Sequence, residues 1–464
     1  MIAAAWLAVA AAAPIGVRAC ATWTTDIKED GYEDDDDIDL NGDGITTNDH
    51  SDVLFEDAAY RMHGMLLLAE KVDNAGNFIE VLYFGYAVAG GPNGGCTPVL
   101  QVEPLPTGLL GLTAARIRLT ATSAVKSGPH TLRVRDDDVN DSLGVVEGPI
   151  VTFLSSGTQT AHLGSNDKRF DTALIMALAL HREDGDAAPI DLDVYTCENP
   201  GGATNCLDPD ASGGVYQHDD QVIYEGSHRV STMLHELGHA VVAAQMPNQS
   251  EPWVMTYDWS NLESTPPDSA CMVAGVDGWM PPLPYLPESP AHHRESDEAT
   301  SAAIVEGYAW YYAAIILNDT TEGDCFVSVS NRDWDHNGAI DIYEDTTDWM
   351  SCEGIPVANM PASMGRDYWE DQCEQADVYS VASEYDWMRG LWDLDTDEGL
   401  TFTDLVDVFA FANPDTWIED AVVSPIPWGG LSLGDYPWFR MYVSADNIGV
   451  GVEWDNQCDN GICR

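Results

Sequence analysis

The sequence predicts an α+β protein in which a β-rich N-terminal region precedes a mainly helical C-terminal part. Three observations predict it. Strand-like runs punctuated by Gly and Pro clusters fill residues 56–155. Near residue 165 the pattern changes, and apolar residues recur at helical spacing. The 464 residues are 45% hydrophobic, which is enough to bury a core and argues for a globular chain. Strands first and helices later indicate α+β segregation rather than alternating βαβ units. At roughly 150 residues per domain, two or three modules are expected.

Residues 1–19 read as an export signal. Ile2 to Ala13 is apolar and Ala-rich, and Pro14 follows. The run is shorter than the roughly 20 residues a membrane span needs. Val17-Arg18-Ala19 has the small residues of a cleavage site. Cleavage there would leave Cys20 first, as in a bacterial lipoprotein, although Arg18 fits a lipidation box badly. A buried N-terminal helix is the alternative. No other segment has the length and apolarity of a transmembrane helix. An even count of ten cysteines in an exported chain favours disulfides. Cys197 with Cys206 and Cys458 with Cys463 are the close pairs, but spacing does not fix the connectivity.

Charge narrows the partners. Against 78 Asp and Glu stand 19 Lys and Arg, a formal −59 at pH 7. Such a surface repels nucleic acid and anionic lipid, so neither is an expected partner. It suits cations or solubility in salt. Residues 20–55 form an acidic, turn-rich linker with a solvated run at Glu33–Asp37. Residues 56–160 form the β-rich domain, with Phe78–Ala87, Ala115–Thr122 and His130–Val134 as strands.

Residues 161–464 form the second domain. Phe170–His181 reads as a buried helix, Ile190–Tyr195 as a strand, Gln221–Tyr224 as a short strand, and a helix runs from near Ser227 to before Pro247. That helix contains Leu234-His235-Glu236-Leu237-Gly238-His239. Four-residue spacing puts His235 and His239 on one helix face, where two neutral imidazoles suit zinc at about 2.0–2.1 Å. Glu236 lies about 100° round the helix, beside a metal-bound water rather than on the metal, where a general base is needed. Gly238 removes bulk next to the metal. Met233, Leu234, Leu237, Val241 and Val242 form the apolar anchoring face.

These residues resemble the HExxH motif of zincin metallopeptidases, whose fold places a sheet with a peptide-pairing edge strand above the motif helix. Gln221–Tyr224 stands where that edge strand is expected. The metzincin continuation is absent, because Gln245 stands where the third His would be. The chain is more similar to gluzincins, which take a Glu from a second helix. Residues 296–316 read as that helix, and Glu306-Gly307-Tyr308-Ala309 resembles the segment carrying the third ligand. A lone acid among apolar residues needs a partner. Glu298 is the alternative ligand, with His292 and His293 behind it.

The resemblance implies a secreted zinc endopeptidase acting on a peptide or protein substrate. Two departures stand out. Trp310 occupies the position where thermolysin-like enzymes carry an Asp. The segment Asp386–Leu394 only loosely resembles a late helix of fungalysin-like enzymes, with Asp386 or Arg389 as supporting residues. Tyr308, Tyr311, Tyr312 and Tyr385 are candidate donors to the transition state.

Calcium is the second expected cofactor. Asp333, Asp335, Asn337, Ala339 (through its carbonyl), Asp341 and Glu344, with Gly338 at the turn, match an EF-hand loop. Two weaker copies use Asp393, Asp395, Asp397 and Asp404, and Asp37, Asp39, Asn41 and Asp43. Such loops stabilise by binding linkage and do no chemistry. The competing functional class is a calcium-binding surface or adhesion protein with an inactive zincin domain. An inhibitor, or a propeptide-controlled zymogen whose first ~150 residues block the cleft, is a further rival.

Overall fold

The structure is a computed structural model. It describes residues 13–24, 59–89, 93–107, 112–136, 141–164, 167–182, 188–196, 215–217, 222–224, 230–245, 300–317, 326–328 and 349–351. Positions 388, 390–392, 394–395, 399–402, 404–405 and 407–408 are also described. The chain divides into two compact units, the first formed by Met1–Asp26, Asp57–Gly185 and Asp191–Leu207, and the second by the remainder.

The first unit is β-rich. Its strands are β1 (Ile15–Thr24), β2 (Ala59–Arg61), β3 (Met65–Val72), β4 (Phe78–Tyr86), β5 (Leu100–Val102), β6 (Leu105–Pro106), β7 (Thr113–Ser127), β8 (His130–Arg135), β9 (Val145–Phe153), β10 (Gly157–His162) and β11 (Asp191–Tyr195). Its helix α1 spans Lys168–Arg182. One sheet is centred on β1, which pairs parallel with β10 and antiparallel with β2 and β5. The other runs β11-β8-β7-β3-β4, with β9 and β6 also pairing with β7. Alternation explains β7: Ala115, Ile117, Leu119 and Ala121 are fully buried while the intervening residues are half-buried. Helix α1 packs on β7 and β8. Phe170, at its start, stacks on Trp23 of β1 with ring centroids 4.8 Å apart. The Trp23 indole donates a 2.7 Å hydrogen bond to the buried Asp171 carboxylate.

Strand β1 bears on the expected export signal. The cleavage point after Ala19 falls inside β1, whose Val17, Ala19, Cys20 and Ala21 are fully buried. The Cys20 sulfur is bonded to Cys96 across 76 residues. Disulfides persist in oxidising compartments. Among the described residues no helix is long and apolar enough to cross a membrane. The first unit also continues past residue 160, because α1 and β11 complete it.

The second unit carries the α part. Strands β12 (Val215–Gln217) and β13 (Val222–Tyr224) form an antiparallel pair, as do β14 (Phe326–Ser328) and β15 (Trp349–Ser351). Strand β13 coincides with the short strand expected at 221–224, but the sheet order ends on β12 and not on β13, so the expected edge position is not met. Helix α2 spans Val230–Gln245 and helix α3 spans Thr300–Leu317. In α3, Glu306 is the one charged residue, and Tyr308–Ala314 are all buried. A helix apolar all round belongs inside a core. Helices α2 and α3 pack directly on each other. Described residues at 388–395 and 402–408 are helical too.

Candidate metal centre

Close packing of the two helices creates the site. A Cβ at Gly238 would lie 2.9 Å from both the Cα and the carbonyl oxygen of Ala309 and 3.0 Å from Cβ of Tyr312. Only a glycine lets α2 approach the α3 backbone this closely. Gly238 therefore acts at the helix contact, which refines its expected role beside the metal. The approach aligns the neighbours of these two residues, His239 on α2 and Glu306 one turn before Ala309 on α3.

His235 Nε2 and His239 Nε2 each lie 3.0 Å from the same oxygen, Oε2 of Glu306. The two nitrogens are 3.1 Å apart. His235 and Glu306 are buried, and His239 nearly so. Protons alone satisfy such a triangle poorly: an N–H directed at the carboxylate from each ring leaves the two rings' polar ends pressed together. A cation at the centre attracts all three donors at once. In a tetrahedral zinc site with bonds of about 2.0–2.1 Å, ligand atoms sit about 3.3 Å apart, within a few tenths of the triangle here. Two imidazoles and one carboxylate therefore form a group that fits a divalent metal ion. The spacing of His235 and His239 and the choice of Glu306 over other acids were both expected from sequence. Glu298, His292 and His293 lie outside the described residues.

Glu236 is also buried, next to His235 on α2. Trp310 occupies the position four residues after Glu306, and its ring sits against His235 with centroids 4.3 Å apart and planes tilted by 39°. The His239 ring meets His235 edge-on at 4.6 Å and 83°.

On the side of α3 away from Glu306, two tyrosines tether the helix. Tyr308 Oη donates to the Leu405 carbonyl at 2.7 Å, and Tyr311 Oη donates to Asp395 Oδ2 at 2.7 Å. Burial holds both phenols well above the usual tyrosine range, with the Asp395 charge adding to the effect at Tyr311. Burial likewise raises the Asp395 carboxyl, partly offset by the Tyr311 hydrogen bond. With their hydroxyls engaged in the core, Tyr308 and Tyr311 are removed from the candidate transition-state donors. Tyr385, Asp386 and Arg389 lie outside the described residues.

The acidic loops are only partly described. Of the set Asp393, Asp395, Asp397 and Asp404, Asp395 is bonded to Tyr311. Asp404 Oδ2 accepts from the Thr401 amide and hydroxyl, while its own amide donates to Thr401 Oγ1. This reciprocal pair caps the helix that follows. Asp393 and Asp397 lie outside the described residues. So do the loop Asp333, Asp335, Asn337, Ala339, Asp341 and Glu344, the set Asp37, Asp39, Asn41 and Asp43, and the eight cysteines other than Cys20 and Cys96.

Sequence reasoning missed the Trp310–His235 contact, the Gly238–Ala309 approach and the tyrosine tethers. The run of small residues in α3 was the available signal for the second of these. The other two depend on how helices meet, which local spacing does not encode. No protein-family model, curated protein or solved structure matches the chain.

Proposed function

We propose that the chain is an exported zinc-dependent peptidase of the gluzincin type. The observation that carries the reading is the 3.0–3.1 Å triangle of His235, His239 and Glu306. Its support is the buried carboxylate of Glu236, one residue from the first donor. Zinc held by the three donors would supply a Lewis acid and bring the pKa of a bound water to about 7. Glu236 is the general base. Its carboxylate takes the proton of the attacking water and returns it to the amine that leaves when the peptide bond breaks. His235, His239 and Glu306 hold the metal and do no proton transfer. The donor that steadies the substrate's carbonyl oxygen is a group other than Tyr308 or Tyr311.

Calcium at Asp333, Asp335, Asn337, Ala339, Asp341 and Glu344 would hold the second unit against unfolding and self-digestion. Nothing in that role touches the chemistry.

The test compares casein or peptide hydrolysis by wild type and Glu236→Gln, with zinc content measured on both. We expect the variant to keep its zinc and lose about 10²–10⁴-fold in rate. Equal activity in the two proteins would refute the role of Glu236.

A further inference from the structure

We infer that Trp310 is a positioning residue of the metal centre. It fixes the His235 ring so that Nε2 faces Glu306 and His239, and it favours that ring when the ring carries a cation. The inference rests on the proposed metal-binding role of the triad and is independent of any hydrolysis.

Three observations carry it. The indole lies against the imidazole, with 4.3 Å between centroids and 39° between planes. Trp310 is 2% exposed and His235 5%, so the contact is made in the core without competing water. His239 closes on His235 at 83° to its plane. The ring is therefore bounded by a flat indole and a crossed imidazole.

Two physical consequences follow. An imidazole turns broadly about χ2 unless something restrains it. A ring already held in its ligating orientation loses less freedom when a metal binds. The electron-rich face of Trp also attracts positive charge within about 6 Å of its centroid. An imidazole whose Nε2 donates to a divalent ion becomes more positive, so the contact strengthens on loading. Because Trp310 follows Glu306 by one helical turn, the same stretch of α3 supplies the third donor and the restraint on the first.

Trp310→Phe and Trp310→Leu separate the aromatic contact from filled volume. Zinc dissociation constants are measured by competition with a chromophoric chelator. The visible spectrum of the cobalt-loaded proteins reports ligand geometry, and urea unfolding of the metal-free proteins reports packing. We expect Trp310→Leu to weaken zinc binding by about tenfold or more and to alter the cobalt spectrum. Trp310→Phe should stay within about threefold of wild type and keep the spectrum. The two metal-free variants should unfold at similar urea concentrations. Wild-type affinity and spectrum in Trp310→Leu would overturn the inference while leaving the metal site standing. Equal weakening in both variants, in step with lost stability, would overturn it too, because volume alone would then explain the effect. A wild type that takes up neither zinc nor cobalt would overturn the metal-site reading itself, and the inference with it.

Discussion

An alanine at position 238 would put its methyl carbon 2.9 Å from two backbone atoms of Ala309. Backbone cannot swing aside as a side-chain tip can, so α2 and α3 must separate. Helix propensity alone favours Ala over Gly by about 1 kcal/mol, so a net loss would isolate the steric effect. We predict that Gly238→Ala destabilises the second unit by about 1–3 kcal/mol and weakens zinc binding by at least about tenfold. Urea unfolding and chelator competition check this, and unchanged zinc affinity would contradict it. The donors were legible in the sequence because helical spacing relates His235 to His239 without reference to anything else. Glu306 was legible because an acid isolated in an apolar helix needs a partner. The role of Gly238 was not, since it depends on which residue of a distant segment lies opposite. The same holds for Trp310.

Helix α3 is held on one side by α2 and on the other by hydrogen bonds from Tyr308 and Tyr311. The Asp395 partner of Tyr311 has a raised carboxyl pKa, caused first by burial. A raised folded-state pKa contributes stability that is full below the unfolded value, about 3.9, and is lost as pH rises through the folded value. Asp395→Asn keeps an acceptor for Tyr311 and removes the buried charge. Its unfolding free energy should therefore fall less than that of wild type as pH rises above about 4. Urea unfolding across a pH series tests this, and parallel profiles would contradict it.

In the first unit the Cys20–Cys96 disulfide spans 76 residues. Replacing both cysteines by Ser should cost about 2–4 kcal/mol on denaturation, and wild-type stability in the double variant would contradict that. Strongly periodic elements were legible, α1 and α2 above all. Strand β1 was not, because the small residues of Val17-Arg18-Ala19 also read as a cleavage site. Its strand character comes from β10, whose register pairs Val17 with Gly157. The reading of the acidic set at 393–404 as a metal loop competes with the bonds that Asp395 and Asp404 make to Tyr311 and Thr401.

Charge is unevenly divided over the chain. The first unit has 11 Lys and Arg against 18 Asp and Glu, a formal −7, which leaves −52 of the −59 to the second. Like charges at that density oppose compaction, and salt screens them over a length that shrinks from about 10 Å at 0.1 M to about 3 Å at 1 M. Raising NaCl over this range should therefore slow amide exchange in α2 and α3 more than in β3 and β7. Equal effects on the two units would contradict the expectation. The α+β class and its order along the chain were legible from the change in hydrophobic period. The boundary near 160 was less so, because β11 joins β8 from beyond it.

The metal centre rests on three side chains from two helices holding one ion. Its most direct measurement is the metal content of dialysed wild type and of Glu306→Ala by elemental mass spectrometry, with the fold of each checked by circular dichroism. One zinc per folded wild-type chain and close to none in the folded variant are expected. A wild type that retains no metal, or a variant that retains a full equivalent, would contradict it.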